Sequence, residues 1–130
     1  MVESNKKITK FTDLISWQEA HKLVLSVYSV TKEFSADEKF GLVGQMRRAA
    51  ISVTSNIAEG FGRYTSKDKV HFFTMSKTSL AELQNQMIVS KDLNYVDAEK
   101  FDSFFKQSVI VDSLIAGMQK SALDKVIHYT

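Results

Sequence analysis

Residues 45–64 read QMRRAAISVTSNIAEGFGRY, and their pattern decides the fold. Wrapped at ~100° per residue, they form one helix with three unlike faces. Val43, Met46, Ala50, Val53 and Ile57, joined by Leu42 and Ala49, make an apolar seam. Arg48, Ser52, Ser55 and Glu59 stack on the opposite side, flanked by Gln45, Asn56 and Arg63. Small Ser52, Ser55 and Ala58 would let another helix approach closely. Gly60-Phe61-Gly62 should end the helix, because glycine takes the left-handed C-terminal conformation at little cost.

The same spacing recurs on both sides of this stretch. Trp17, Ala20, Val24, Val27, Thr31 and Phe34 form the seam of a first helix, starting near Asp13 or at Ser16. Ser16-Trp17-Gln18-Glu19 has the form of a capping box. A second box, Ser35-Ala36-Asp37-Glu38, predicts a very short turn and a second helix over 36–59, bent near Gly41 or Gly44. Thr65 or Ser66 caps a third helix reaching Asp92, with Phe73, Ser76, Leu80, Leu83, Met87 and Ser90 as its seam and Phe72 beside it. After a turn at 93–96, Asp97 is an N-cap for a fourth helix over 98–128. Its seam is Phe101, Phe104, Ser108, Val111, Ile115, Met118 and Ala122. Short connections make successive helices antiparallel neighbours. The expected fold is all-α, an antiparallel up-down-up-down four-helix bundle over 12–130, preceded by a flexible arm over 1–11.

Composition agrees. One domain of 130 residues with 44% hydrophobic and 25% charged residues can bury a core without staples. No proline and only 5 glycines favour long helices. With no cysteine there is neither a disulfide framework nor a thiolate site, which fits a reducing cytoplasm. No apolar run approaches the roughly 18 residues of a membrane span. The net charge of +2 leans basic up to Lys91 and acidic from Asp92 onward.

Helix four carries more apolar residues than one seam needs: Phe105, Val109, Ile110, Leu114, Leu123 and Ile127. No helix of a four-helix monomer is central, so this surplus points to a subunit contact through Ile110 and Leu114. Ile51, almost opposite its own seam and beside Ala58 and Arg47, points the same way. For the arginines two readings stay open. Asn56 and Glu59 serve a structural polar contact, with Glu59 and Arg63 in the favourable i,i+4 order. Arg47, Arg48 and Arg63, joined by Lys67 and Lys69, serve either such a contact or nucleic-acid phosphates.

Catalytic machinery is not apparent. His21, His71 and His128 are dispersed, and none lies in Glu-x-x-His, so no metal site is expected. There is no P-loop, no dinucleotide fingerprint and no nucleophile elbow. The expectation is a non-enzyme with no cofactor, no membrane and no small-molecule substrate.

Trp17-Gln18-Glu19-Ala20, Tyr28, Phe40-Gly41-Leu42, Gln45-Met46-Arg47-Arg48-Ala49-Ala50-Ile51-Ser52 and Asn56-Ile57-Ala58-Glu59-Gly60 together resemble the bacterial four-helix bundle proteins, also called the 23S rRNA-intervening sequence protein family. The likeness continues through Gly62-Arg63, Phe72-Phe73 and Ser79-Leu80-x-Glu82-Leu83. It implies a cytoplasmic bundle that assembles into a ring-like homopentamer, some members being encoded within large-subunit rRNA genes. A related member, the accessory variability determinant of diversity-generating retroelements, binds nucleic acid and a reverse transcriptase through a basic surface. The resemblance thus implies an oligomeric scaffold with RNA or a nucleic-acid-handling protein as partner; a protein–protein adaptor is the alternative. Ser35 replaces the family's usual proline, and Thr78 its usual glycine.

Overall fold

The computed structural model describes residues 7–38 and 40–129, the last two of these by backbone alone. A single 3-10 turn, Phe11–Asp13, leads into α1, Ile15–Thr31; a second, Ala36–Glu38, precedes α2, Leu42–Phe61. Then come α3, Ser66–Asp92, and α4, Ala98–Tyr129. No strand occurs among the described residues. α1 adjoins α2 and α4, and α3 adjoins the same two, so α2 and α4 occupy diagonal corners. This is the expected antiparallel four-helix bundle.

The seams meet in one core. Ala20, Val27, Met46, Val53, Ile57, Leu80, Leu83, Met87, Phe104, Val111 and Ile115 are buried, with Leu23 added from α1. Hydroxyls inside the seams are satisfied locally: Ser76 Oγ donates to the Val53 carbonyl at 2.7 Å, Thr31 Oγ1 to Val27 at 2.7 Å and Ser90 Oγ to Gln86 at 2.8 Å. Thr65 accepts from the Asp68 amide at 3.1 Å and Asp97 from Lys100 at 2.8 Å, so both act as the expected N-caps.

Three helix ends differ from the sequence expectation. Ser16 lies inside α1, buried, and its hydroxyl donates to Met118 Sδ at 3.2 Å. Its supposed partner Glu19 instead accepts from Lys22 and from Gln107 on α4. The lead-in turn is built by Asp13, which accepts the Thr9 and Lys10 amides at 3.0 and 3.1 Å. α2 starts at Leu42 rather than at 36, because Gly41 leaves helical geometry with φ −102 and ψ −104. Ser35 caps only the 3-10 turn, and Glu38 bridges forward. Its carboxylate accepts from the Leu42 amide at 3.4 Å and from the Tyr95 hydroxyl at 2.9 Å. That second bond ties the α1–α2 connection to the α3–α4 turn.

The third difference concerns the double glycine. α2 continues through Gly60, which is buried, and Gly62 caps it at φ −81, ψ −4. Gly60 is needed for space. A Cβ built there would lie 2.5 Å from Phe73 Cε1 and 3.2 Å from Phe72 Cβ. The helix ends where Lys69 Nζ takes the Gly60 and Phe61 carbonyls, at 3.1 and 2.8 Å. Among the described residues the left-handed position is Asn94, φ 65, after α3; the Tyr95 amide closes that cap on the Ser90 carbonyl at 2.9 Å.

A paired substitution separates these two roles of glycine. Gly60→Ala should destabilise by about 1–3 kcal/mol, since a buried ring must move. Gly117→Ala, where an added Cβ meets nothing, should stabilise by about 0.5–1 kcal/mol. Urea denaturation followed by circular dichroism reads both; equal effects would rule out the close α2–α3 contact as the reason for Gly60.

Candidate interaction surfaces

Three of the cations expected to meet phosphate or a subunit are engaged within the chain. Arg47 reaches α1, with Nε donating to Thr31 Oγ1 at 3.0 Å and Nη2 to the Tyr28 carbonyl at 3.4 Å. Its guanidinium also covers the Tyr28 ring at 4.5 Å. Arg63 pairs with Glu59 at 2.6 Å and lies 4.4 Å over Phe72. Lys69 caps α2 as described, and burial holds its ammonium below the ordinary lysine range, with the Lys125 charge acting the same way. Arg48 and Lys67 remain. Both are exposed, and neither forms a hydrogen bond or ion pair among the described residues.

The outer side of α2 is bordered by shallow grooves. On the α1 side Tyr28, Arg47, Arg48, Ile51, Ser52 and Ser55 line one, and Ile51 is 43% exposed. Lower down, Ala58 sits with Phe11, Ser55, Glu59, Gly62 and Arg63. On the α3 side a polar groove of about 370 Å³ is formed by Gln45, Arg48, Ala49, Ser52, Glu82 and Gln86. Asn56 is buried beneath it; its Nδ2 donates to the Ser52 carbonyl and hydroxyl, and that hydroxyl bonds Ser79 on α3 at 2.8 Å. The Asn56 bonds thus lie within α2, and Ser52 carries the contact on to α3. Gln86 differs: its Oε1 is buried without a hydrogen-bond partner. Ser79 and Gln86 were not singled out by sequence; both fall one turn from Leu83 on the same edge of α3 (i−4 and i+3), which was the available signal.

The α4 residues divide. Ile110 is 44% exposed, in company with Val109, Leu123 and Ile127. Leu114 is half-buried and lines two clefts at the foot of the bundle instead of the outer face. Ile51 and Ala58 belong to α2 and Ile110 to α4, hence to diagonal corners.

No group of three or more His, Cys, Asp or Glu among the described residues could hold a metal. His21 stacks on Trp17 at 4.7 Å and His71 meets the Phe72 edge; the His128 side chain lies outside the described residues. No described helix is long and apolar enough to cross a membrane.

Division of the arginines can be measured. Arg47→Ala should cost about 1–3 kcal/mol of stability, by loss of its hydrogen bonds and ring contact. Arg48→Ala should stay within about 0.5 kcal/mol. Chemical denaturation midpoints decide; a reversed order would refute the division.

Comparison with known proteins places this geometry. The sequence profile of the family described as "23S rRNA-intervening sequence protein" matches residues 12–117. A solved structure is similar over 82% of this chain and 96% of its own, with a TM-score of 0.75 at 16% identity. It is a protein of unknown function from the S23 ribosomal protein family of Bacteroides thetaiotaomicron. At that identity the likeness concerns the fold. A comparison with curated proteins gave no match.

Proposed function

Since the chain belongs to the 23S rRNA-intervening sequence protein family, we propose that it is a non-enzymatic, self-associating helical scaffold that works in the cytoplasm. One observation carries the reading: two faces with exposed apolar residues, on α2 and on α4, lie at diagonal corners of one bundle. Two different patches on opposite sides suit a head-to-tail contact, and such contacts close into rings. A homopentamer, as the family resemblance implies, is one such ring. The α2 face has the composition of an interface, with Arg48, Tyr28 and Phe11 around Ile51 and Ala58.

RNA is the partner we place second. Arg48 and Lys67 favour it, being exposed cations that form no hydrogen bond or ion pair among the described residues. Repetition around a ring would multiply those few charges, which compensates for a small net charge per chain. An adaptor for another protein would use the same α2 grooves.

Light scattering coupled to size exclusion tests the scaffold. Ile110→Lys and Ile51→Lys should each shift the chain toward monomer with helical content unchanged. A wild type that stays monomeric at high concentration would sink the reading. For RNA, electrophoretic shifts across a salt series should weaken steeply, and Arg48→Ala should lower the log–log slope by about 1 per engaged subunit. Association without any low-salt shift would select the protein adaptor.

A further inference from the structure

α4 outlasts the helix beside it. Ser16, near the start of α1, contacts Met118, so the last turns of α4 run about 16 Å past α1 at 1.5 Å per residue. α1 is therefore missing from one corner of the foot of the bundle. Two adjoining clefts, each about 430 Å³, open there and share Leu114 and Met118. The first is mainly apolar, with Ile8, Leu14 and Ile15 opposite α4. Asp13 lies on its wall, held by the Thr9 and Lys10 amides. The second has Phe73 and Ala122 at its base and Lys69 and Lys125 at its mouth. Gly117 borders it, and a Cβ added there would meet nothing within 4 Å.

The charge at that mouth is unbalanced. Neither ammonium forms an ion pair among the described residues. Lys69 spends two of its three donors on the Gly60 and Phe61 carbonyls, leaving one free. Burial and the neighbouring Lys125 both disfavour its charge, an electrostatic cost that an anion between the two would offset. An apolar trough ending in two cations that form no ion pair among the described residues matches a ligand with a hydrocarbon body and one anionic end.

We propose that this foot cleft binds an amphiphilic carboxylate of the fatty-acid type, its chain against Leu114, Met118 and Ile15 and its head between Lys69 and Lys125. The ligand is bound and not transformed. Its site is separate from the diagonal faces of α2 and α4, so it does not depend on self-association.

Decanoate, decanol and acetate, titrated calorimetrically into the full chain, test the two halves of the proposal. Decanoate should bind saturably; decanol, with the tail alone, and acetate, with the head alone, should each bind at least tenfold more weakly. Gly117→Phe should fill the cleft and abolish decanoate binding with helical content and melting intact. Lys125→Gln should weaken it severalfold without unfolding, because Lys125 forms no ion pair or hydrogen bond among the described residues. Failure of decanoate to saturate, or equal binding by the Gly117→Phe variant, would overturn the proposal. Decanol binding as tightly as decanoate would overturn the anionic half. If Gly117→Phe changes the oligomeric state and decanoate does not bind, the cleft is a subunit contact and the proposal falls.

Discussion

The approach of α2 to α3 at Gly60 is the constraint on which the rest of the structure depends. The Phe73 ring occupies the place where any side chain at residue 60 would begin. This brings the start of α3 close to the end of α2, within reach of Lys69, which closes the last carbonyls of α2. It also sets Phe72 beneath Arg63. Further along, Ser52 meets Ser79 across the contact, and Asn56 on the same helix steadies Ser52 by donating to its carbonyl and hydroxyl. Without the space at Gly60 the bonds from Lys69 and between Ser52 and Ser79 would lengthen together, since they bridge the same pair of helices. The most extensive helix contact of the fold thus turns on an absent side chain.

The bundle itself was legible in the sequence because the seams repeat at helical spacing, and burial of one residue per turn tolerates error in any single assignment. Leu23 was missed for that reason: it lies beside the seam of α1, and a broad apolar stripe has no sharp edge in a linear pattern. Helix ends were less legible. Ser-x-x-Glu has one physical meaning when the serine precedes the helix and another when it lies within; Ser16 is within, and Glu19 serves α4. Glycine is ambiguous in the same manner. Gly60 could supply a left-handed turn or an empty volume, and only the neighbour across the contact, distant Phe73, decides between them. The left-handed position fell to Asn94, which the sequence offered only as a turn residue.

The candidate surfaces were legible as residue types and not as partnerships. Arg47, Arg63 and Lys69 stood out as cations, but their main partners include the backbone carbonyls of Tyr28, Gly60 and Phe61. A backbone carbonyl carries no sequence signature, so a helix-capping cation and a phosphate-binding cation look alike until the chain is folded. The i,i+4 pair Glu59–Arg63 was readable because both members are local. Gln86 shows the converse. Its spacing from Leu83 could place it at the edge of the seam, but not tell whether its oxygen would be sealed from water.

The surplus apolar surface of α4 has two origins that its sequence pattern merges. Part is circumferential: Val109 and Ile110 lie on the outer side of the helix, where no other helix of the same bundle can cover them. Part is longitudinal. α4 has 32 residues and α1 has 17, so at 1.5 Å per residue they span about 48 and 26 Å. Leu114 and Met118 sit near the level where the shorter helix begins, and they line a recess instead of a protruding face. A protruding face can be covered only by a surface as broad as itself, which favours another folded chain. A recess bounded by fixed helices admits something small, and its lining alone sets what that can be. Leu114, grouped by spacing with Ile110, therefore belongs to a different physical problem. Helix length, more than helix composition, is what separates them.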